Sequence, residues 1–160
     1  MRIFYLLSFV ILPLFLKGQN QSGTTLNIKK AKGEILLDGQ LNEQDWQDAD
    51  VADDWYKTFP VDTARADFQT EARLTFDEEF LYVSFVCYDD DTPDIISSLR
   101  RDFDYDINDN VGFSIGPYND KQNGFFFVIT PAGVQMEGTV TGGGTSDSSF
   151  SPFWDNKWFS

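Results

Sequence analysis

The sequence predicts an all-β protein, an antiparallel β-sandwich with one or two short helical turns. Three observations lead there. In the later part of the 160 residues, apolar side chains fall at alternate positions in short runs, the period of a strand with one face inward. Clusters of Asp, Asn, Gly and Pro separate the runs at short spacing, which is turn chemistry for antiparallel neighbours. A single Cys excludes an internal disulfide, so the layers must be held by a shared apolar core.

Met1-Arg2 open the chain before an apolar run, Ile3 to Leu16, broken only by Ser8 and Pro13; Lys17-Gly18-Gln19-Asn20 follow it. A basic start, an apolar stretch short for a bilayer and a small residue at its end read as a signal peptide over residues 1–19. No Cys follows the run, so a lipid-modified anchor is not indicated. Residues 20–160 then make one β-sandwich module, enough chain for one core and not two. Ile35 to Leu37 read as a buried-type strand entering an Asp38-Gly39 turn, where Gly supplies positive φ. Asn42 stands at a helix N-cap position, Asp45 three residues on, with Trp46 and Ala49 on one face of a short helix. A large ring just after a cap packs inward, so Trp46 reads as a core anchor.

Thr70, Ala72, Leu74 and Phe76 alternate with polar neighbours in a half-buried strand, and Asp77-Glu78-Glu79 turn it. Leu81 to Tyr88 returns, placing Cys87 in phase with Leu81, Val83 and Phe85 as a small buried residue. Asp94 to Leu99 allows one helical turn. The next strand points Val111, Phe113 and Ile115 inward. Tyr118 to Gly124 is a polar turn, and Phe125 to Thr130 is apolar on both faces, hence central in its sheet. Pro131-Ala132-Gly133 turn the chain into Val134, Met136, Gly138 and Val140. Thr141 to Ser151, rich in Gly, Ser and Thr, reads as a mobile surface loop. The aromatic cluster from Phe153 to Phe159 then stands at the end of the sequence, where exposed rings need a partner strand. The module therefore reads as lacking its last strands.

Charge and composition narrow the chemistry. With 12 basic and 26 acidic residues the formal net charge is −14, and loss of Arg2 and Lys17 makes it more negative. Such a surface repels phosphate backbones, so nucleic acid is not a partner, and cations and neutral ligands are favoured. There is no His, which removes Ser-His-Asp and Cys-His sites and His-ligated zinc or iron.

Residues 37–46, Leu-Asp-Gly-Gln-Leu-Asn-Glu-Gln-Asp-Trp, resemble the entry motif of family-9 carbohydrate-binding modules, Leu-Asp-Gly-x-Leu-Asp-Glu-x-x-Trp. Asn42 replaces the usual Asp, and both residues cap helices. Phe80-Leu81-Tyr82-Val83 with Cys87-Tyr88-Asp89-Asp90 is similar to the family's second strand. Asp109-Asn110-Val111-Gly112-Phe113-Ser114-Ile115 is similar to its Asp-x-Val-x-Ile-x-Ile strand. The run from Gly124 through Gly133-Val134-Gln135, then Trp154-Asp155-x-x-Trp158, resembles a subgroup of large Gram-negative envelope proteins. These carry such a module before a β-rich segment assigned to the outer membrane. The resemblance spans residues 30 to 160 or so. It implies an exported module of a longer protein, in the periplasm or at the outer-membrane surface, linked to carbohydrate catabolism through that parent. Sugar-binding members clamp a ring between two Trp side chains beside an Arg. Here the first clamp position falls on Asp106, next to Tyr105, the Arg position on or near Phe127, and the second Trp beyond Ser160.

Candidate ligand-binding residues are Trp55, Tyr56, Tyr105 and Trp154. Trp55-Tyr56 lie in a polar stretch before Pro60, placed either to stack on a sugar face or to pack at a strand edge. Trp154 and Trp158 would share one strand face. Asp102, Asp104, Asp106 and Asp109 alternate carboxylates with bulky residues, an array for Ca²⁺ in a loop or a solvated acidic turn. It is not an EF-hand, because Ile107 stands where a turn Gly belongs and Phe113 where a bidentate Glu belongs. Asp89-Asp90-Asp91 is a second acidic run, and Arg100-Arg101 neutralise the first. No pattern of residues indicates catalysis. The expected function is a non-catalytic carbohydrate-binding-like module whose partner is a glycan or the downstream membrane segment of its own parent. It does not itself span the membrane after signal cleavage. The alternative is a structural or docking domain of an outer-membrane protein that binds no sugar. A glycoside hydrolase ranks below both, since it needs two poised carboxylates.

Overall fold

The computed structural model describes residues 25–61, 63–90, 93–144, 149–151 and 157–160. Their strands form two four-stranded sheets, mostly antiparallel, facing one another as a β-sandwich. The first sheet contains β1 (Lys29–Lys30), β2 (Val51–Ala52), β3 (Thr70–Phe76) and β4 (Leu81–Cys87). The second contains β5 (Val111–Ile115), β6 (Gly124–Ile129), β7 (Gln135–Thr141) and β8 (Ser149–Ser151). A five-residue helix, α1 (Gln44–Asp48), precedes β2, and a 3-10 turn, Tyr105–Ile107, precedes β5. No helix among the described residues is long and apolar enough to cross a membrane.

The β3–β4 hairpin organises the first sheet. It runs in register from Thr70 opposite Cys87 to Phe76 opposite Leu81. The Asp77 carboxylate closes it by accepting the backbone N–H groups of Glu79 at 2.7 Å and Phe80 at 2.8 Å, the local bond that makes Asp a turn residue. On its other side β3 carries two short strands in tandem: β1, parallel, opposite Thr75 and Phe76, and β2, antiparallel, opposite Ala72 and Arg73. Trp46 and Ala49 of the α1 segment are buried, so the ring after the cap packs inward as its position predicts.

The second sheet is a meander with β6 between β5 and β7, as its two apolar faces require. Gly112 permits the close pairing of β5 with β6, since a Cβ there would lie 2.6 Å from the Phe127 carbonyl oxygen. One face of this sheet carries Phe126 and Met136, packed with Phe103 and supported by Val128, Val134 and Val140. The opposite face presents Phe113, Ile115 and Phe127 toward the first sheet.

Glu137 shares that face with Phe127, its register partner, and is fully buried. Arg101 pairs with its Oε1, and the Trp158 indole N–H donates to its Oε2 at 2.9 Å. Arg101 is brought there by the Asp102 N–H, which donates to the Gln135 carbonyl of β7 at 3.2 Å.

Several expectations are corrected. Ile35 to Leu37 is not a strand: Ile35 is buried but Leu36 and Leu37 are exposed, and among the described residues no strand pairs with them. The helix N-cap is Glu43, one residue after Asn42; its carboxylate accepts the Leu36 N–H instead of capping. Asp45 likewise reaches back to the N–H groups of Lys32 and Gly33. Cys87 is exposed, being the last residue of β4, where the sheet no longer covers it. Asp94 to Leu99 forms no helical turn; the turn is at Tyr105–Ile107. Thr75, on the polar row of β3, is buried with its hydroxyl donating to the Lys29 carbonyl. Within Thr141 to Ser151, β8 pairs with β7, so part of that Ser/Gly-rich stretch is sheet. The signal segment 1–19 and Trp154 lie outside the described residues.

Arg101→Ala leaves the Glu137 charge without its guanidinium and is expected to cost about 3 kcal/mol in urea unfolding, whereas the double change to Leu at both positions costs less. Acid sensitivity follows from four carboxylates held below their usual value of 3.8 by backbone N–H donors: Asp45 by Lys32, Asp50 by Asn27, Asp77 by Glu79, Asp120 by Asn123. A depressed folded pKa contributes stability above the unfolded value that is lost as pH falls through the folded one. The urea midpoint is therefore expected to hold near pH 6 and to drop below about pH 4.

Candidate functional site

A cavity of about 490 Å³ lies between the sheets, a size within the range of ligand sites. Its second-sheet wall is Phe113, Ile115 and Phe127, alternate residues that meet it with a sheet face. Its first-sheet wall is Leu81, Tyr82 and Val83, three in a row. Consecutive strand residues point to opposite faces, so a cavity touching all three meets β4 along its edge.

Aromatic contacts frame the opening. Phe113 stacks on Phe127 with ring centres 5.3 Å apart, and Trp158 meets Phe127 edge-on at 5.5 Å. Phe159 meets Phe80 edge-on at 6.4 Å, which carries the contact to the first sheet. Glu137 fixes the orientation of Trp158 through the indole N–H. Phe80, Leu81, Ile115 and Phe159 remain exposed at these walls. At the β4 side, the Tyr82 hydroxyl donates to Asp77 at 2.7 Å. That bond, then partial burial and the charges of Asp77, Glu79 and Glu34, push Tyr82 up to about 12.

The described aromatic residues marked by the sequence, Trp55, Tyr56 and Tyr105, lie on two separate segments of the chain. Trp55 and Tyr56 lie on an extended segment that pairs with Arg65, flanked by bonds from the Lys57 N–H to the Ala64 carbonyl and the Ala66 N–H to the Trp55 carbonyl. Neighbours on such a segment face opposite ways. Trp55 is pinned by its indole N–H, which donates to the Thr70 carbonyl at 2.7 Å. Tyr56 is 50% exposed, with the Arg65 guanidinium 5.4 Å from its ring centre, and Arg65 also pairs with Asp54. Tyr105 is exposed in the 3-10 turn before the second sheet.

The four aspartates do not converge. Asp104 accepts the Asp106 N–H at 3.1 Å and Asp109 accepts the Ile95 N–H at 2.6 Å, so two of the four are engaged by backbone N–H groups. Asp102 adopts positive φ. Among the described residues no group of three or more such side chains is placed to hold a metal ion.

The cleft itself was not anticipated. Phe113 carried a signal, since alternation put it on an inward row, whereas Phe127 lies in a run apolar on both faces, which leaves its direction open. Glu137 carried none, since it falls on the polar row of its strand, alternating with Met136 and Gly138. Its partners stand 36 and 21 residues away, which no local pattern reveals. Comparison with protein families, with characterised proteins and with solved structures finds no match.

Tyrosinate absorbance is expected to show one hydroxyl ionising late, near 12, and Tyr82→Phe removes it. Asp77→Asn moves it down toward the usual 10, because the acceptor charge that stabilises the protonated phenol is gone.

Proposed function

We propose that the chain is a non-catalytic carbohydrate-binding-like module, exported to the envelope as part of a larger protein. The observation that carries this is Tyr56. A half-exposed ring carries the guanidinium of the Asp54–Arg65 pair over one face, which leaves its other face for a ligand, and Asp54 and Tyr56 alternate onto the same side of one extended segment. An apolar ring face next to fixed donors and acceptors is the combination that stacks on a sugar and orients its hydroxyls. The ordered resemblance to family-9 modules and the β-sandwich add support.

A second reading, a docking domain that binds no sugar, is favoured by Phe127. The position that resembles the sugar-orienting Arg of the family is a ring packed between Phe113 and Trp158.

Calorimetric titration with mono- and oligosaccharides separates the two. Tyr56→Ala is expected to weaken binding about tenfold while leaving the unfolding midpoint nearly unchanged, as for an exposed stacking ring. Unchanged affinity excludes the Tyr56 platform. Silence toward every sugar at millimolar concentration rejects the carbohydrate reading and leaves the docking one.

A further inference from the structure

Backbone parity in the β3–β4 hairpin decides which amides are free. The Asp77 N–H donates to the Phe80 carbonyl, and the Tyr88 N–H to the Gln69 carbonyl, so Phe80 and Tyr88 turn their backbone groups toward β3. Groups alternate along an antiparallel strand, so Tyr82, Ser84 and Val86 do the same. Leu81, Val83 and Phe85 then point theirs away from β3. The other side of the hairpin agrees: the Phe76 carbonyl, opposite Leu81, faces outward and accepts from the Ala31 N–H. Among the described strands β3 is β4's only neighbour. Leu81 and Val83, the residues with outward amides, are also residues that line the cleft. An unpaired strand edge and an apolar cleft therefore coincide.

Charge says what kind of chain fits. Glu34, Asp77 and Glu79 all act on the Tyr82 hydroxyl at this wall, so the rim is acidic. Lys30 is paired with Glu78, and Lys157 lies over the Phe159 ring at 5.3 Å. The whole chain carries −14. We infer that the outward edge of β4 and the cleft beside it form a docking groove for an extended segment of a partner polypeptide, added as a strand to β4, with alternate apolar side chains and flanking Lys or Arg. Backbone bonds to Leu81 and Val83 supply register. Every second side chain enters against Phe113, Ile115 and Phe127, and the basic flanks meet the acidic rim. The groove shares no residue with Tyr56, Asp54 or Arg65, so the proposal stands apart from the sugar reading.

The probe is a synthetic peptide, Lys-Val-Thr-Val-Thr-Val-Lys, titrated calorimetrically into the chain, with two copies N-methylated at one or the other set of alternate amides. Strand addition predicts that one set weakens binding at least about tenfold and the other changes it little, since only one set faces β4. Affinity is expected to fall with added salt. Val83→Pro removes one outward N–H, tolerated at a strand edge, and is expected to weaken binding by a similar factor with the β-sheet circular dichroism retained. The N-methyl series needs no protein variant and so decides the matter even if that substitution unfolds the chain. Equal affinity for both N-methylated peptides, or no binding of the unmodified one, overturns the proposal. Uptake of an apolar dye without uptake of the peptide overturns it as well, in favour of a small-molecule cavity.

Discussion

A carboxylate taken fully out of water must find its partners inside the fold, and those of Glu137 include Arg101 and Trp158, on distant parts of the chain. Arg101, in the segment before β5, neutralises one oxygen, and the Trp158 indole satisfies the other. The pair does more than cancel a charge. It ties β7 to the segment that lines the inter-sheet cavity, sets the Trp158 ring against Phe127, and places Phe159 where it reaches Phe80 of the first sheet. The contacts that join the two sheets around the opening thus depend on one ionic and hydrogen-bonded node.

Around that node the sandwich is unevenly packed. The outer face of the second sheet is closed over Phe126 and Met136 by Phe103, while the inner face opens on the cleft and leaves Phe80, Leu81, Ile115 and Phe159 exposed. Exposed apolar surface next to a strand edge that is unpaired among the described strands is a combination folded chains otherwise avoid, and it motivates the docking proposal. The aspartates act in the opposite sense. Asp45, Asp77 and Asp120 hold turns through backbone N–H groups, so these three acids are structural as well as repulsive toward anions.

What was legible in the sequence was what local periodicity encodes. The β3–β4 hairpin, the Asp77 turn and the central place of β6 followed from alternation and turn residues, because each is built from neighbours in the chain. Ile35 to Leu37 looked like a strand because an apolar run does not say whether a partner strand exists. The helix start slipped by one residue because Glu43 reaches Leu36 and Asp45 reaches Lys32, long-range uses of side chains that composition attributes to caps. β8 was hidden because Ser149 and Ser151 carry no apolar signal, and its pairing comes from β7. For the candidate site, the polar surroundings of Trp55-Tyr56 left exposure and strand-edge packing open, and the fold leaves Tyr56 half-exposed. The split from Trp55 depends on which carbonyl the indole meets. Glu137 depends on residues remote in sequence, so its role emerges only in the folded chain.

The central claim is that β4 presents an unpaired edge to the cleft, and amide hydrogen exchange reads that edge directly. The structure predicts an alternation along the strand: fast exchange at Leu81 and Val83, whose N–H groups face away from β3, and slow exchange at Tyr82 and Ser84, whose N–H groups face it. Uniform protection across these four residues would show that β4 is already paired on both sides and would contradict the account.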